Sequence, residues 1–225
     1  MILTARGPHE MSLRDELRTL YENGHLRLPA DVRETMKRGA HELADSGLSE
    51  HALGVGAVAP RFSLPSATGE HVTLDELLTR GPLVLTFYRG AWCPYCNLAL
   101  RALQLHHDAI RERGAHLVAV SPQVPDESLS LTEKHELDFD VLTDIGSDTA
   151  KQYGIAFDLS DELGALYDRL GFDLQHVNAG HARTLPLPAT YVIDTHGVIR
   201  WAFVDTDYTV RAEPADILAA LDGIR

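Results

Sequence analysis

The stretch LVLTFYRGAWCPYCNLALRAL, Leu83 to Leu103, decides how this chain is read. It holds both cysteines of the 225 residues, Cys93 and Cys96, between a strand-forming run and a helix-forming one. Leu83 to Tyr88 is short and continuously apolar, the pattern of a strand covered on both faces. A helix is expected from about Cys93 to Arg113. A helix that starts beside Cys93 directs unpaired N–H groups and the positive end of its dipole at that sulfur, which favours thiolate over thiol. Cys96 follows one turn later on the same face, within reach of a short-loop disulfide, and Pro94 in the first turn costs no hydrogen bond. The pair reads as a dithiol that can cycle to a disulfide. A structural zinc site needs about four ligands, and the chain has no second C-x-x-C. Neither a metal nor an organic cofactor is expected.

Working outward, strands and helices alternate from Pro82 onward, the signature of a sheet with helices on its faces. After the cysteine helix come a strand at Ala115 to Ser121, a polar helix near Ser128 to Leu137, a short strand FDVLT and a helix near Asp148 to Tyr153. The weakly patterned segment Ile155 to Leu187 has room for a helix at Ser160 to Leu170. Two last strands, Ala189 to Asp194 and Val198 to Val204, are joined by Thr195, His196 and Gly197, a length that calls for a tight hairpin. A helix at Pro214 to Leu221 closes the chain. Upstream, Leu13, Leu17 and Leu20, then Val32, Met36, Ala40 and Leu43, recur at helical spacing on either side of Gly24 and Pro29, so two helices are expected between Ser12 and Ser46. A linker then enters a small hairpin, Arg61 to Leu64 with His71 to Leu74. The division is a helical extension over residues 1–52 and an α/β domain over 53–225.

Composition narrows the function. The chain is 44% hydrophobic and 24% charged, an ordinary globular balance. Its 33 acidic residues outnumber 20 basic ones, and the net charge of -13 would repel a phosphate backbone, so nucleic acid is not an expected partner. There is no apolar stretch of signal-peptide or membrane-span length. A soluble cytoplasmic protein is expected. In such a compartment, two cysteines in C-x-x-C spacing at a strand-to-helix junction point to redox chemistry.

At the level of motifs, TFYRGAWCPYC, with APRFSLPSATGEHVTLDELL upstream and LPLPATYVIDTHGVIRWAFVDTDYTVRAEPADIL downstream, resembles the peroxiredoxin-like proteins of the alkyl hydroperoxide reductase/thiol-specific antioxidant (AhpC/TSA) family, in the thioredoxin-fold superfamily. The resemblance runs from about Leu53 to the C-terminus, and the helical extension is similar to that of the W-C-P-Y-C branch. It implies a thioredoxin fold, a central mixed sheet flanked by helices. It also implies a thiol peroxidase that reduces hydrogen peroxide or organic hydroperoxides through a Cys93/Cys96 disulfide and is recycled by a thioredoxin-like reductant. It implies further that Pro188, directly before Ala189, Thr190 and Tyr191, is a cis-proline lying against the sulfurs.

The departures from the family pattern matter as well. Typical members carry P-x-x-x-T/S-x-x-C and a distant arginine that holds the thiolate. Counted back from Cys93, Gly90 takes the hydroxyl position and Thr86 the proline position; counted back from Cys96, Cys93 and Arg89 take them. Pro188 occupies the strand position of the distant arginine. Arg89 is then the local candidate for the missing positive charge, against a surface salt bridge. Which cysteine attacks stays open, and so do a disulfide reductase without peroxidase activity and a non-enzymatic redox sensor. Tyr88, Trp92 and Tyr95 surround the motif, with Trp92 a candidate docking contact for the reductant or else a core packer. His106, His107, Asp108, Glu112 and His116 read as a solvated helix face rather than a metal site. His176 and His181, beside Asn178 and Gly180, read as loop histidines or a lid. The acidic DTDYTVRAEPAD lacks the spacing of a calcium loop and reads as a turn followed by an N-capped helix. The two amphipathic N-terminal helices are a plausible homodimer element.

Overall fold

The computed structural model describes residues 11–124, 136–180 and 183–224. Its centre is a mixed five-stranded sheet in the order β5-β4-β3-β8-β9. The strands are β3 (Leu83–Phe87), β4 (His116–Ser121), β5 (Asp140–Thr143), β8 (Ala189–Ile193) and β9 (Ile199–Val204). β3, β4 and β5 run parallel, while β8 pairs antiparallel with both β3 and β9. Every residue of β3 is buried, because it is central and both its faces are covered.

The pleat of β3 sorts its side chains between two cores. Leu83, Leu85 and Phe87 point to one face, where they meet Tyr153, Tyr191 and Leu74. That face is covered by α4 (Leu74–Arg80), α7 (Asp148–Gln152) and the hairpin of β1 (Ser63–Pro65) with β2 (His71–Thr73). Val84 points to the other face, among Leu100, Leu103, Ile110, Ile217, Leu221 and both cysteines. The covering helices there are α5 (Pro94–Leu105), α6 (His107–Glu112) and α10 (Pro214–Asp222).

The N-terminal segment folds as the two expected helices, α1 (Leu13–Asn23) and α2 (Ala30–Asp45), with a short α3 (Leu48–His51). Leu13 and Leu17 of α1 are buried in the same core as the cysteines. α2 lies on α8 (Asp161–Arg169), so close that a Cβ on Gly39 would come within 2.9 Å of Leu163 Cδ2. The apolar stripes proposed as a dimer element are thus turned onto the protein's own core. Among the described residues no helix is long and apolar enough to cross a membrane.

Three local expectations are corrected. The single helix expected from Cys93 to Arg113 breaks at His106, which has φ -106° and ψ 5°. Its ring Nδ1 donates to the Ala102 carbonyl at 2.8 Å, the acceptor that a continuing helix would offer to the main chain. His106 is therefore the junction between the two helices, and His107 opens the second and packs on Phe139. The segment Ile155 to Leu187 contains the expected helix as α8, and also α9 (Leu174–Val177) and a two-stranded sheet of β6 (Ala156–Asp158) and β7 (Thr184–Pro186). The final helix has Glu213 at its N-cap, yet that side chain makes no capping bond to it. The polar helix expected at Ser128 to Leu137 falls, but for its last two residues, outside the described residues, as does His181.

Candidate active site

The loop between β3 and α5 is shaped by Gly90 and fixed by Gln123. Gly90 has φ +144°, and a Cβ there would lie 2.4 Å from Trp92 Nε1 and 3.2 Å from Gln123 Oε1, so only glycine fits. Gln123, wholly buried just beyond β4, accepts from Ala91 N at 2.7 Å and donates to the Tyr88 hydroxyl at 3.3 Å. Asn97 Nδ2 donates to Ala91 O at 2.9 Å. These bonds deliver the chain to Cys93, which is the N-cap of α5; its carbonyl accepts from Cys96 N and Asn97 N. Pro94 occupies the first helical position, exposed, as its missing N–H allows.

Both thiols are free, with Cys93 2% exposed and Cys96 fully buried. They share a hydrogen bond. The positive charge beside them comes from Arg211, in the segment between β9 and α10. Its Nη2 lies 3.0 Å from Cys96 Sγ and 4.0 Å from Cys93 Sγ, while Nη1 is anchored on the carbonyls of Tyr208 and Val210 at 2.8 and 2.6 Å. The Arg89 main-chain N–H also donates to Cys96. Burial pushes the Cys96 thiol up, but the Cys93 hydrogen bond, Arg211 and the Arg89 N–H outweigh it and hold it well below the ordinary thiol range. Cys93 is pushed well above that range by burial, by its bond to Cys96 and by the Cys96 charge. The pair thus carries its negative charge on Cys96 and its proton on Cys93.

The Arg89 side chain forms neither a surface ion pair nor a direct contact with the sulfurs. Its guanidinium is buried, donates to the Tyr167 hydroxyl at 2.6 Å, and lies 4.8, 5.4 and 5.2 Å from the ring centres of Trp92, Tyr167 and Tyr208. Its charge favours both thiolates from a distance, while Arg211 supplies the contact. Trp92 packs on Tyr167 and Phe172, 5.6 and 5.3 Å between ring centres, and is half-buried, which fits core packing rather than a docking surface. Tyr88 is buried behind the loop. Thr190 has its hydroxyl 2.9 Å from that of Thr86 across the β3–β8 ladder.

The peptide bond before Pro188 is trans, which corrects the cis expectation; among the described residues there is no cis peptide. The flanking chain is held extended, since Leu187 N donates to Ile155 O and the Pro188 carbonyl accepts from Asp205 N. Pro188 lines a narrow apolar cavity with Arg89, Tyr208 and Leu163. In DTDYT, Asp205 accepts from Asp207 N, and Asp207 from the N–H and hydroxyl of Thr209, so both acids are used in the turn. Among the described residues no cluster of three or more His, Cys, Asp or Glu could hold a metal.

Sequence reasoning missed Arg211 altogether. It lies 115 positions beyond Cys96, and its single signal is being the lone base in an acidic run.

Sheet, helices and a paired thiol and thiolate at a strand-to-helix junction define a thioredoxin-fold dithiol protein. The model of the AhpC/TSA family matches residues 55–202, and the chain belongs to that family. Peroxiredoxin Q, chloroplastic, of Triticum aestivum is 25% identical over 178 residues, 79% of this chain and 71% of that one. Peroxiredoxin Bcp of Escherichia coli is 31% identical over 116 residues, 52% of this chain and 73% of that one. In fold, peroxidoxin BcpB from Mycobacterium tuberculosis superposes with a TM-score of 0.61 at 24% identity, covering 77% of this chain and 99% of that one. Arg211 and α1 both lie outside the residues that the family model matches.

Proposed function

We propose that this protein is a thiol peroxidase in which Cys96 attacks the peroxide and Cys93 resolves. The observation that carries the assignment is the placement of Arg211, 3.0 Å from Cys96 against 4.0 Å from Cys93, with the Cys93 thiol bonded to the same sulfur. Family membership and the peroxiredoxin relatives support the reaction class.

The Cys96 thiolate attacks the terminal oxygen of a hydroperoxide. An S–O bond forms as the O–O bond breaks, sulfur is oxidised to sulfenic acid, and the departing oxyanion takes a proton and leaves as alcohol or water. Cys93 sulfur then attacks Cys96 sulfur: the S–S bond forms, the S–O bond breaks, and water leaves with the Cys93 proton. A thioredoxin-like dithiol returns two electrons by exchange and becomes a disulfide itself. Cys93 fills the place that a Thr or Ser hydroxyl holds in the typical family motif, so here the hydrogen-bond donor to the attacking sulfur is also the resolving thiol. The sulfur that a disulfide reductase would present at the helix start, Cys93, is the protonated member of the pair.

The test is peroxide consumption coupled to NADPH through thioredoxin and its reductase. The wild type is expected to turn over. Cys93→Ser is expected to give one turnover and a trappable sulfenic acid at Cys96, and Cys96→Ser none. A sulfenic acid trapped at Cys93 in Cys96→Ser would reverse the roles. Reduction of an insulin disulfide with no peroxide turnover would make the protein a reductase instead.

A further inference from the structure

Arg211 is not held on Cys96 by its own segment alone. The residues that carry it, 205–213, are gripped by the N-terminal helix. Glu213, two residues on, directs its carboxylate away from α10 and onto the first turn of α1, where Oε1 accepts from Arg14 N at 2.6 Å. That N–H is one of the four that a helix start leaves unpaired, and an anion is favoured there by the helix dipole. Leu13 and Leu17, on the buried face of α1, pack in the core that contains both cysteines. The short turn after α1 reaches the same segment: His25 stacks on Tyr21, and its Nδ1 lies 3.5 Å from the Tyr208 hydroxyl. Tyr208 meets Tyr95 of α5 edge to face, and its carbonyl anchors Arg211 Nη1. From α1 the contacts therefore lead to the Arg211 guanidinium and so to Cys96 Sγ.

We propose that α1 is a positioning element of the thiol site, latched by Glu213 and seated by Leu13 and Leu17 so that Arg211 stays in contact with Cys96. The helix touches no reacting atom. It acts through Arg211, and undocking it releases the contact that favours the thiolate. The charged and titratable groups that act on the two sulfurs are Arg211, Arg89 and Tyr95, none of them in α1; Tyr21 of α1 and Asp207 act on Tyr95, not on Cys96. A change in Cys96 acidity on disturbing α1 would thus be transmitted through the 205–213 segment. The inference rests on Cys96 being the sulfur held as thiolate.

The experiment is the pH titration of the Cys96 thiolate by its ultraviolet absorbance, in reduced full-length Cys93→Ser protein with no peroxide present. Glu213→Ala is expected to raise the midpoint by about one unit, the lower end of what an opposite charge within contact distance confers, and so to leave about tenfold less thiolate at pH values below it. Glu213→Gln keeps an oxygen for the Arg14 N–H and is expected to titrate within about twofold of the parent. Simple loss of the Glu213 charge would have the opposite sign, since removing an anion makes a nearby thiol more acidic. Leu17→Ala loosens the same helix without touching Glu213 and is expected to shift the midpoint upward as well; it decides the matter if Glu213→Ala fails to fold. A midpoint that stays or falls in the folded variants, with only a lower Tm, would overturn the proposal and make α1 purely structural. If the shifts occur and the wild type consumes no peroxide, the latch stands and the proposed function falls.

Discussion

Arg211 explains how the site manages without the arginine of the typical family pattern. Pro188 holds that strand position, and a proline side chain carries no charge. The replacement arrives from the segment after β9 and meets Cys96 at 3.0 Å. Arg211→Met is therefore expected to raise the Cys96 thiol pKa by about one to three units and to slow peroxide reduction at neutral pH by about tenfold or more, read from the pH dependence of the second-order rate. Arg89→Met is expected to change that acidity less and stability more, because it empties a space enclosed by Trp92, Tyr167 and Tyr208. Thermal unfolding beside thiol titration separates the two effects. The sequence could nominate Arg89 because it stands four residues before Cys93. It could not nominate Arg211, since a contact across more than a hundred residues leaves no periodicity to read.

The elements that could be read beforehand are those with many residues obeying one period. β3, α1, α2 and the β8–β9 hairpin have them. β6 and β7 are three residues each, too short for an alternation to stand out, and the break at His106 depends on a side chain taking a main-chain acceptor, which no apolar pattern records. The cysteine loop was readable as a redox junction, but its rigidity comes from Gly90 and Gln123. Gly90→Ala would set a methyl group against Trp92 Nε1 and force a left-handed backbone on alanine. The expected cost is about 1–3 kcal/mol, measured by denaturant unfolding, together with loss of the Cys93–Cys96 contact. That contact bears on kinetics under the proposed mechanism: with Cys93 beside Cys96, the sulfenic acid is expected to condense before a second peroxide reaches it. Excess peroxide is expected to leave the wild type as a disulfide and to drive Cys93→Ser to sulfinic acid at Cys96, distinguished by intact mass.

The fold as a unit links acidity to stability. Cys96 in the folded protein sits below the ordinary thiol value of about 8.5. Its contribution is therefore fully present above that value and is lost as pH falls through the folded one. Cys93 has the opposite sign: raised in the fold, it favours the folded state below the ordinary thiol range and loses that advantage as pH rises past it. The reduced protein is expected to lose Tm toward acid more steeply than Cys96→Ser does, and toward alkali more steeply than Cys93→Ser does. Peroxide reduction should fade on the acid side as Cys96 takes a proton.

The helical extension was readable as two helices. That α1 and the arginine beside the thiols share one packed region was not, because docking faces are chosen by tertiary contacts. The packing around Trp92 carries one more consequence. This indole is held rigidly between Arg89, Tyr167 and Phe172 and adjoins Cys93 in the chain, whereas the other tryptophan, Trp201, lies on β9. A disulfide quenches a neighbouring excited indole more strongly than a dithiol does. The protein therefore contains its own optical gauge of oxidation: its emission should dim on each oxidative half-cycle and brighten on reduction, a signal that survives Trp201→Phe and vanishes in Trp92→Phe.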